Sequence, residues 1–463
     1  MEYTKEQITE MKESLLFKKK NVYEKMDEAE IEKMEAFSHD YIRFLDASKT
    51  EREAVAEGIA LAKAKGFAEY RFGMPVKAGD KFYFNNRGKE LFLFIVGSES
   101  LEEGVRISAA HIDSPRIDLK QHPLYEDSGL AFFKTHYYGG IRKYQWTAIP
   151  LAIHGTVMKA DGSLVDIVVG EEESDPVFYI NDLLPHLARA QNSRPLGDAI
   201  QGEQLNILIG SRPLNADGEI KLAVMKLLNE KYGIVEDDFI SAELTMVPAF
   251  KAREIGFDRS LIGGYGHDDR VCAYPALAAI LEKEAPLHTL MVILADKEEV
   301  GSGGNTGMKS DAFVDILTSL CQTLGADERI VRFRSQCLSA DVNAAYDPNF
   351  SDVYETRNSS YINQGVVMTK YTGSGGKSGT SDASAEFVGY VRNLFDRAGV
   401  VWQTGELGKV DAGGGGTVAV YIAEKNIDVV DLGVPVLSMH APYEVIAKAD
   451  LYMAYKAFSA FND

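Results

Sequence analysis

The chain has 463 residues, 45% of them hydrophobic, enough to bury one large core or two smaller ones. Its formal charge of −20 repels nucleic-acid phosphates rather than neutralising them, and no stretch approaches the roughly 20 apolar residues that span a bilayer, so neither nucleic acid nor membrane is an expected partner. The charged start MEYTKEQITEMKESLLFKKK has no apolar signal region, and Cys272, Cys321 and Cys337 form no CxxC pair. A reducing, cytoplasmic location is therefore expected, with each cysteine a small buried hydrophobe.

Residues 6–65 place apolar side chains at three- and four-residue steps between charged ones, which predicts helix with a stop at Gly66. Strands are expected at 90–97 and 104–110. Across 129–247 the texture becomes short β-rich pieces such as TAIPLAIHGTVM and SLVDIVVG, separated by turns such as Ala160-Asp161-Gly162. After Ser260, helical stretches at 271–283, 383–398 and 447–461 alternate with apolar strands: TLMVILA, the run at Val366, VAVYIA and VPVLSM. This order predicts a three-layer α/β/α domain made of 1–118 and 251–463, interrupted by an inserted β-rich domain at 119–250.

Four segments share one grammar, an apolar strand running into ionisable residues: ISAAHIDSP, LADKEEVGSGG, LSAD and VLSMH. Open α/β sheets bind ligands beyond the carboxyl ends of their strands, where these residues would lie. His111 and Asp113 stand two apart, on one side of an extended chain, so the carboxylate can orient the imidazole; the alternative is a surface His-Asp pair. In Gly-His-Asp-Asp-Arg, Asp268 and Asp269 suit a helix N-terminus, but one carboxylate could also bridge two cations. His267 reads as a turn histidine. Glu298 and Glu299 put two like charges into a pocket, which is unfavourable without a cation or a retained proton. One of them can ligate metal while the other takes the proton of an attacking water; a solvated charge run is the alternative. Asp341 and His440 each follow a strand. Alone each is a structural residue, but together with the others they complete a ligand set that suits Zn²⁺ or a similar divalent ion.

In this order (His-x-Asp, Asp-Asp, Glu-Glu-Val-Gly-Ser, Ser-Ala-Asp, Gly-Val-Pro-Val-Leu-Ser-Met-His) the chain resembles the aspartyl aminopeptidase family of co-catalytic zinc peptidases over nearly its whole length. The resemblance implies His111 and Asp341 on one metal, Glu299 and His440 on the other, and Asp268 bridging both. Asp268 is preferred to Asp269 because it matches the aspartate of the family's Leu-Asp-Asn. Glu298 would be the general base and Asp113 the orienting residue. His186, in Leu-Pro-His-Leu-Ala, matches a further active-site histidine, as a metal ligand or as a group reaching a neighbouring subunit's pocket; otherwise it is a core-facing helix histidine. The implied activity is hydrolysis of the amino-terminal peptide bond of short peptides with two divalent ions, zinc or else cobalt or manganese. The implied assembly is a tetrahedral dodecamer built partly through the insertion, which would act in oligomerisation or as a lid. The chain departs from the family after Ser-Ala-Asp, where it runs Val342-Asn343-Ala344-Ala345-Tyr346-Asp347-Pro348 in place of a histidine-containing stretch.

Two glycine-rich segments remain. Residues 371–380 nearly spell a phosphate-binding loop, but Tyr371 stands where its first glycine belongs. A nucleotide-binding enzyme is the competing reading; as a substrate loop, the same segment offers Lys377 to an acidic side chain. Residues 413–416 are either a flexible turn or, as the resemblance implies, a bare backbone beside the pocket, with Gly416 offering its N–H to substrate. A third reading is a non-catalytic, metal-binding scaffold of the same fold; the intact Glu298-Glu299 pair argues against it.

Overall fold

The structure, a computed structural model, describes residues 3–215 and 218–463. Thr289–Ala295, Val105–His111, Gln336–Ala340 and Asp428–Gly433 lie side by side and parallel in the middle of a nine-stranded sheet. Thr289–Ala295 is buried at every position. Its side chains alternate: Leu290, Val292 and Leu294 pack into one helical layer, Met291, Ile293 and Ala295 into the other. A continuous apolar run is what a sheet covered on both faces requires, and each fully buried Leu or Ile contributes about 1.5–3 kcal/mol. Helices Glu28–Ala47, Glu51–Ala64, His267–Leu281, Ala385–Arg397 and Lys448–Phe461 cover the first face. Ala312–Leu324, Glu328–Arg334 and Ala419–Ala423 cover the second.

Two local expectations are corrected. The helical region 6–65 is three helices, because Asp27 caps the second by accepting the Glu30 N–H at 2.9 Å and Thr50 and Glu53 form a capping box at the third. VAVYIA is not a strand; Ala419–Ala423 is helical, burying Ala419 and Ile422. A six-residue apolar run does not by itself separate buried strand from buried helix, and the adjacent sheet position goes to Asp428–Gly433. The three cysteines are buried and free. Among the described residues, no helix is long and apolar enough to cross a membrane.

A second, seven-stranded sheet begins with Arg116–Asp127 and ends with Ala242–Pro248. Ala242–Pro248 pairs with both Arg116–Asp127 and Pro150–Met158, so the sheet folds back on itself around its own core, which includes Phe133, Trp146 and Met246. A buried polar seam joins it to the helices. Lys49 donates to Glu171 at 2.6 Å and to the carbonyls of Pro248 and Phe250 at 2.8 and 3.0 Å. His154 lies between Glu53 at 2.7 Å and Glu171 at 3.0 Å. A smaller five-stranded sheet carries Leu261–Gly264, Pro435–Leu437 and Glu444–Ala447 to the end of the central sheet where the ionisable residues gather.

Candidate metal centre

Val105–His111 ends on His111, Glu298 lies three residues past Thr289–Ala295, and Asp341 directly follows Gln336–Ala340. These strands are parallel, so their carboxyl ends bring the three residues to one edge. His440 arrives differently. It sits in the turn between Pro435–Leu437 and Glu444–Ala447 of the small sheet, with a left-handed φ of 64°. Asp268 comes from the first turn of His267–Leu281, where it and Asp269 leave helical backbone angles. It does not act as a helix cap; its carboxylate faces both histidines.

Asp268 Oδ1 lies 3.2 Å from His111 Nε2, and Asp268 Oδ2 lies 3.2 Å from His440 Nε2. On the first side Asp341 Oδ1 stands 3.6 Å from His111 Nε2, with Glu298 Oε2 at 3.9 Å. On the second, Glu299 Oε1 stands 3.5 Å from His440 Nε2. His111, Asp268 and Asp341 thus form one candidate ligand group, and Asp268, Glu299 and His440 another. Each imidazole is oriented through its other nitrogen: His111 Nδ1 bonds the Asp113 carbonyl at 3.0 Å, and His440 Nδ1 the Gly140 carbonyl at 2.9 Å. A carbonyl only accepts, so Nδ1 carries the proton and Nε2 is left for a metal.

The donor set fits divalent cations. His111 Nε2, Asp268 Oδ1 and Glu299 Oε1 are buried without any hydrogen-bond partner, which is unfavourable unless a cation satisfies them. Burial, and then the charge of Asp341, push Glu298 up to about 8; burial and Asp268 push Glu299 well above the carboxylate range. Asp268 moves the other way: burial opposes ionisation, but the two imidazoles that face it, His111 and His440, hold it well below that range. Positive charge placed among these carboxylates relieves their mutual repulsion. The family described as Aminopeptidase I zinc metalloprotease (M18) matches residues 44–462.

The chain belongs to this M18 family. It is a zinc-dependent aminopeptidase, a hydrolase. The "Probable M18 family aminopeptidase 1" of Clostridium acetobutylicum is 50% identical over 463 residues, covering 97% of this chain and 99% of the relative. The crystal structure of the M18 aminopeptidase from Thermotoga maritima superposes with a TM-score of 0.91 at 43% identity, covering 96% and 99% of the two chains. The S. cerevisiae mApe1 dodecamer, at 22% identity and a TM-score of 0.75 over 91% of this chain and 95% of its own, shares the fold.

Behind the candidate ligands of this M18 aminopeptidase stand two buried carboxylates. Asp113 accepts the backbone N–H groups of Glu298 and Glu299 at 3.1 and 3.2 Å and the Tyr138 hydroxyl at 2.8 Å. Glu444 accepts the N–H of Asp268 at 3.1 Å and of His440 at 2.7 Å. Glu444, Tyr138 and Gly140 escaped the sequence reading. The one signal for Glu444 was an acidic residue opening an otherwise apolar strand, EVIA, four residues after His440. His267 is not a turn histidine: it is fully buried against Tyr41, whose hydroxyl lies 2.7 Å away, and burial lowers its pKa to about 3.

A cavity of about 430 Å3 opens from the centre, lined by Thr369, Tyr371, Lys377, Glu406, Gly416 and their neighbours. Gly373 pairs with Gly415 and Ser374 with Gly414, so the two glycine-rich loops zip together at its wall. The 371–380 loop leads into no helix before Ala385–Arg397, and Lys377 lies over the Tyr371 ring, 3.2 Å from Asp382. That is not the strand–loop–helix arrangement a phosphate cradle needs. His186 is exposed on the short helix Pro185–Leu187. Among the described residues it belongs to none of the candidate ligand groups, and it is not core-facing.

Proposed function

We propose that the M18 aminopeptidase uses two zinc ions per chain to remove the amino-terminal residue from short peptides. His111 and Asp341 would hold one ion, Glu299 and His440 the other, and Asp268 both. The observation that carries this reading is Asp268, whose two oxygens each lie 3.2 Å from a different histidine. When bound, the ions polarise the scissile carbonyl and acidify the attacking water. Glu298 takes a proton from that water as its oxygen attacks the carbonyl carbon. It returns the proton to the departing amine as the C–N bond breaks. Its position supports such proton traffic, since Glu298 Oε2 lies 3.9 Å from His111 Nε2 and lines the same cavity as Asp268 and Asp341. Asp113 keeps Glu298 and Glu299 in register through their backbone amides. Gly416, on the cavity wall, would offer its N–H to the substrate.

A preference for acidic amino-terminal residues would rest on Lys377, the cavity cation in the 371–380 loop. Residues 119–250 would act as the assembly and lid unit of a cytoplasmic dodecamer, supported by the dodecameric yeast relative. In that assembly the exposed His186 would reach a neighbouring subunit's site. Elemental analysis and light scattering test the reading together. Two zinc ions per chain in a large closed particle are expected, with occupancy lost in Asp268→Ala. One ion per chain, or a monomer at working concentration, would overturn the corresponding part.

A further inference from the structure

An aminopeptidase has one residue on the amino side of the scissile bond, and the rest of the peptide must leave the centre by another route. The cavity at the centre is walled by the 369–377 and 406–417 segments, and residues 119–250 contribute to it only Gly140, whose carbonyl holds His440. At Gly140 a second cavity of about 480 Å3 begins, running along the insertion past Tyr137, Arg142, Lys143 and Tyr144. Tyr137 and Tyr144 are 41% and 39% exposed, apolar surface at the mouth of a polar centre. Arg142 and Lys143 rest over the Tyr144 and Tyr137 rings at 5.2 and 6.0 Å. Among the described residues neither forms an ion pair, whereas Lys120 and Lys221 of the same insertion are each 2.6 Å from a glutamate. In a chain of charge −20, two unpaired cations beside the catalytic cavity make a local anion-attracting spot.

We propose that this groove is the exit-side subsite. The tyrosine rings flank the peptide beyond the scissile bond, and Arg142 and Lys143 receive its terminal carboxylate. This rests on the aminopeptidase reading and adds a substrate class to it: di- to tetrapeptides with a free carboxyl end. The cations are water-accessible, so the effect is modest and salt-sensitive, a ~3- to 10-fold preference rather than an absolute requirement.

The test compares kcat/KM for alanine di-, tri- and tetrapeptides with their carboxyl-terminal amides, at low and high salt. The zinc-loaded wild type should favour the free acid at one or more lengths, and the acid-to-amide ratio should fall as salt rises. In Arg142→Gln/Lys143→Gln the ratio should approach one, and in Arg142→Glu it should invert. Equal turnover of acid and amide by the wild type, or a ratio that survives both variants, would overturn the subsite. Hydrolysis of alanine p-nitroanilide, which has no peptide carboxylate, checks the aminopeptidase reading separately in the wild type.

Discussion

Glu444 accepts the backbone N–H of His440 at 2.7 Å, and its second oxygen accepts that of Asp268. Glu444 opens its strand opposite Gly264, so one buried carboxylate meets both the turn that carries His440 and the segment leading to Asp268. The grip also holds His440 in its left-handed backbone conformation, which costs an L-residue about 1–2 kcal/mol. Glu444→Ala should leave both amides unpaired and weaken zinc binding by ~10- to 100-fold. Glu444→Gln, which keeps one acceptor, should fall between. Chelator competition measures this; wild-type affinity in the alanine variant would remove Glu444 from the site.

Glu298 and Glu299 are neighbours with different surroundings, since Glu299 faces His440 and Glu298 faces His111 from 3.9 Å. Glu298→Gln should keep two zinc ions while kcat falls by ~10²-fold or more. Turnover at the wild-type rate would show that the proton goes elsewhere.

Lys377 shares Asp382 with Lys370 and is 44% exposed, so its charge is only partly free for substrate. Lys377→Ala should lower kcat/KM for aspartyl and glutamyl substrates by about tenfold, the lower end for a charge-assisted contact, and change leucyl and alanyl substrates little. An equal loss across all substrates would indicate damage to the glycine-rich loop instead.

His154 carries the pH dependence of the seam. Burial opposes its protonation, but hydrogen bonds to Glu171 and Glu53 outweigh that and raise its pKa above 6.5. Its contribution to stability is complete below 6.5 and is lost as pH rises through the higher folded value. Glu171 works the other way: burial opposes its ionisation, yet hydrogen bonding from His154 and the charge of Lys49 lower it to about 2. Its share is therefore present above 4.5 and lost as pH falls towards 2. Lys251, 2.7 Å from Glu171, and the carboxylate of Asp46 also face this cluster. Denaturant unfolding should show the wild type more stable just below pH 6.5 than after the pH has risen through the raised value of His154. His154→Gln should be weaker by about 3 kcal/mol at the lower pH and lack that slope. Parallel pH profiles would mean that His154 is neutral in the fold.

The candidates His111, Glu298, Glu299 and Asp341 were legible because each lies within a few positions of an apolar strand's end, and Asp268 because paired carboxylates open a helix. Strand periodicity sets where the chain emerges, and the ionisable residue is the next thing on it. TLMVILA-Asp-Lys-Glu-Glu and QCLSA-Asp follow this rule, and the three-layer class follows from the same fully apolar strands. The rule misled at VAVYIA, where local composition suits either a buried strand or a buried helix and the neighbouring strand Asp428–Gly433 took the sheet position. It also misled at His440, whose strand belongs to the small sheet.

Sequence alone determined the apolar strands, their helical cover and the candidate ligands, since those depend on side-chain chemistry and on periods of two or about 3.6 residues. Tertiary structure decided which groups face one another. Tyr138 reaches Asp113 from the seven-stranded sheet, the Gly140 carbonyl aims His440 from 300 residues away, and Glu444 grips Asp268 across 176. A hydrogen bond acts over about 3 Å in space and carries no trace of separation along the chain, so only the packed fold brings such partners together.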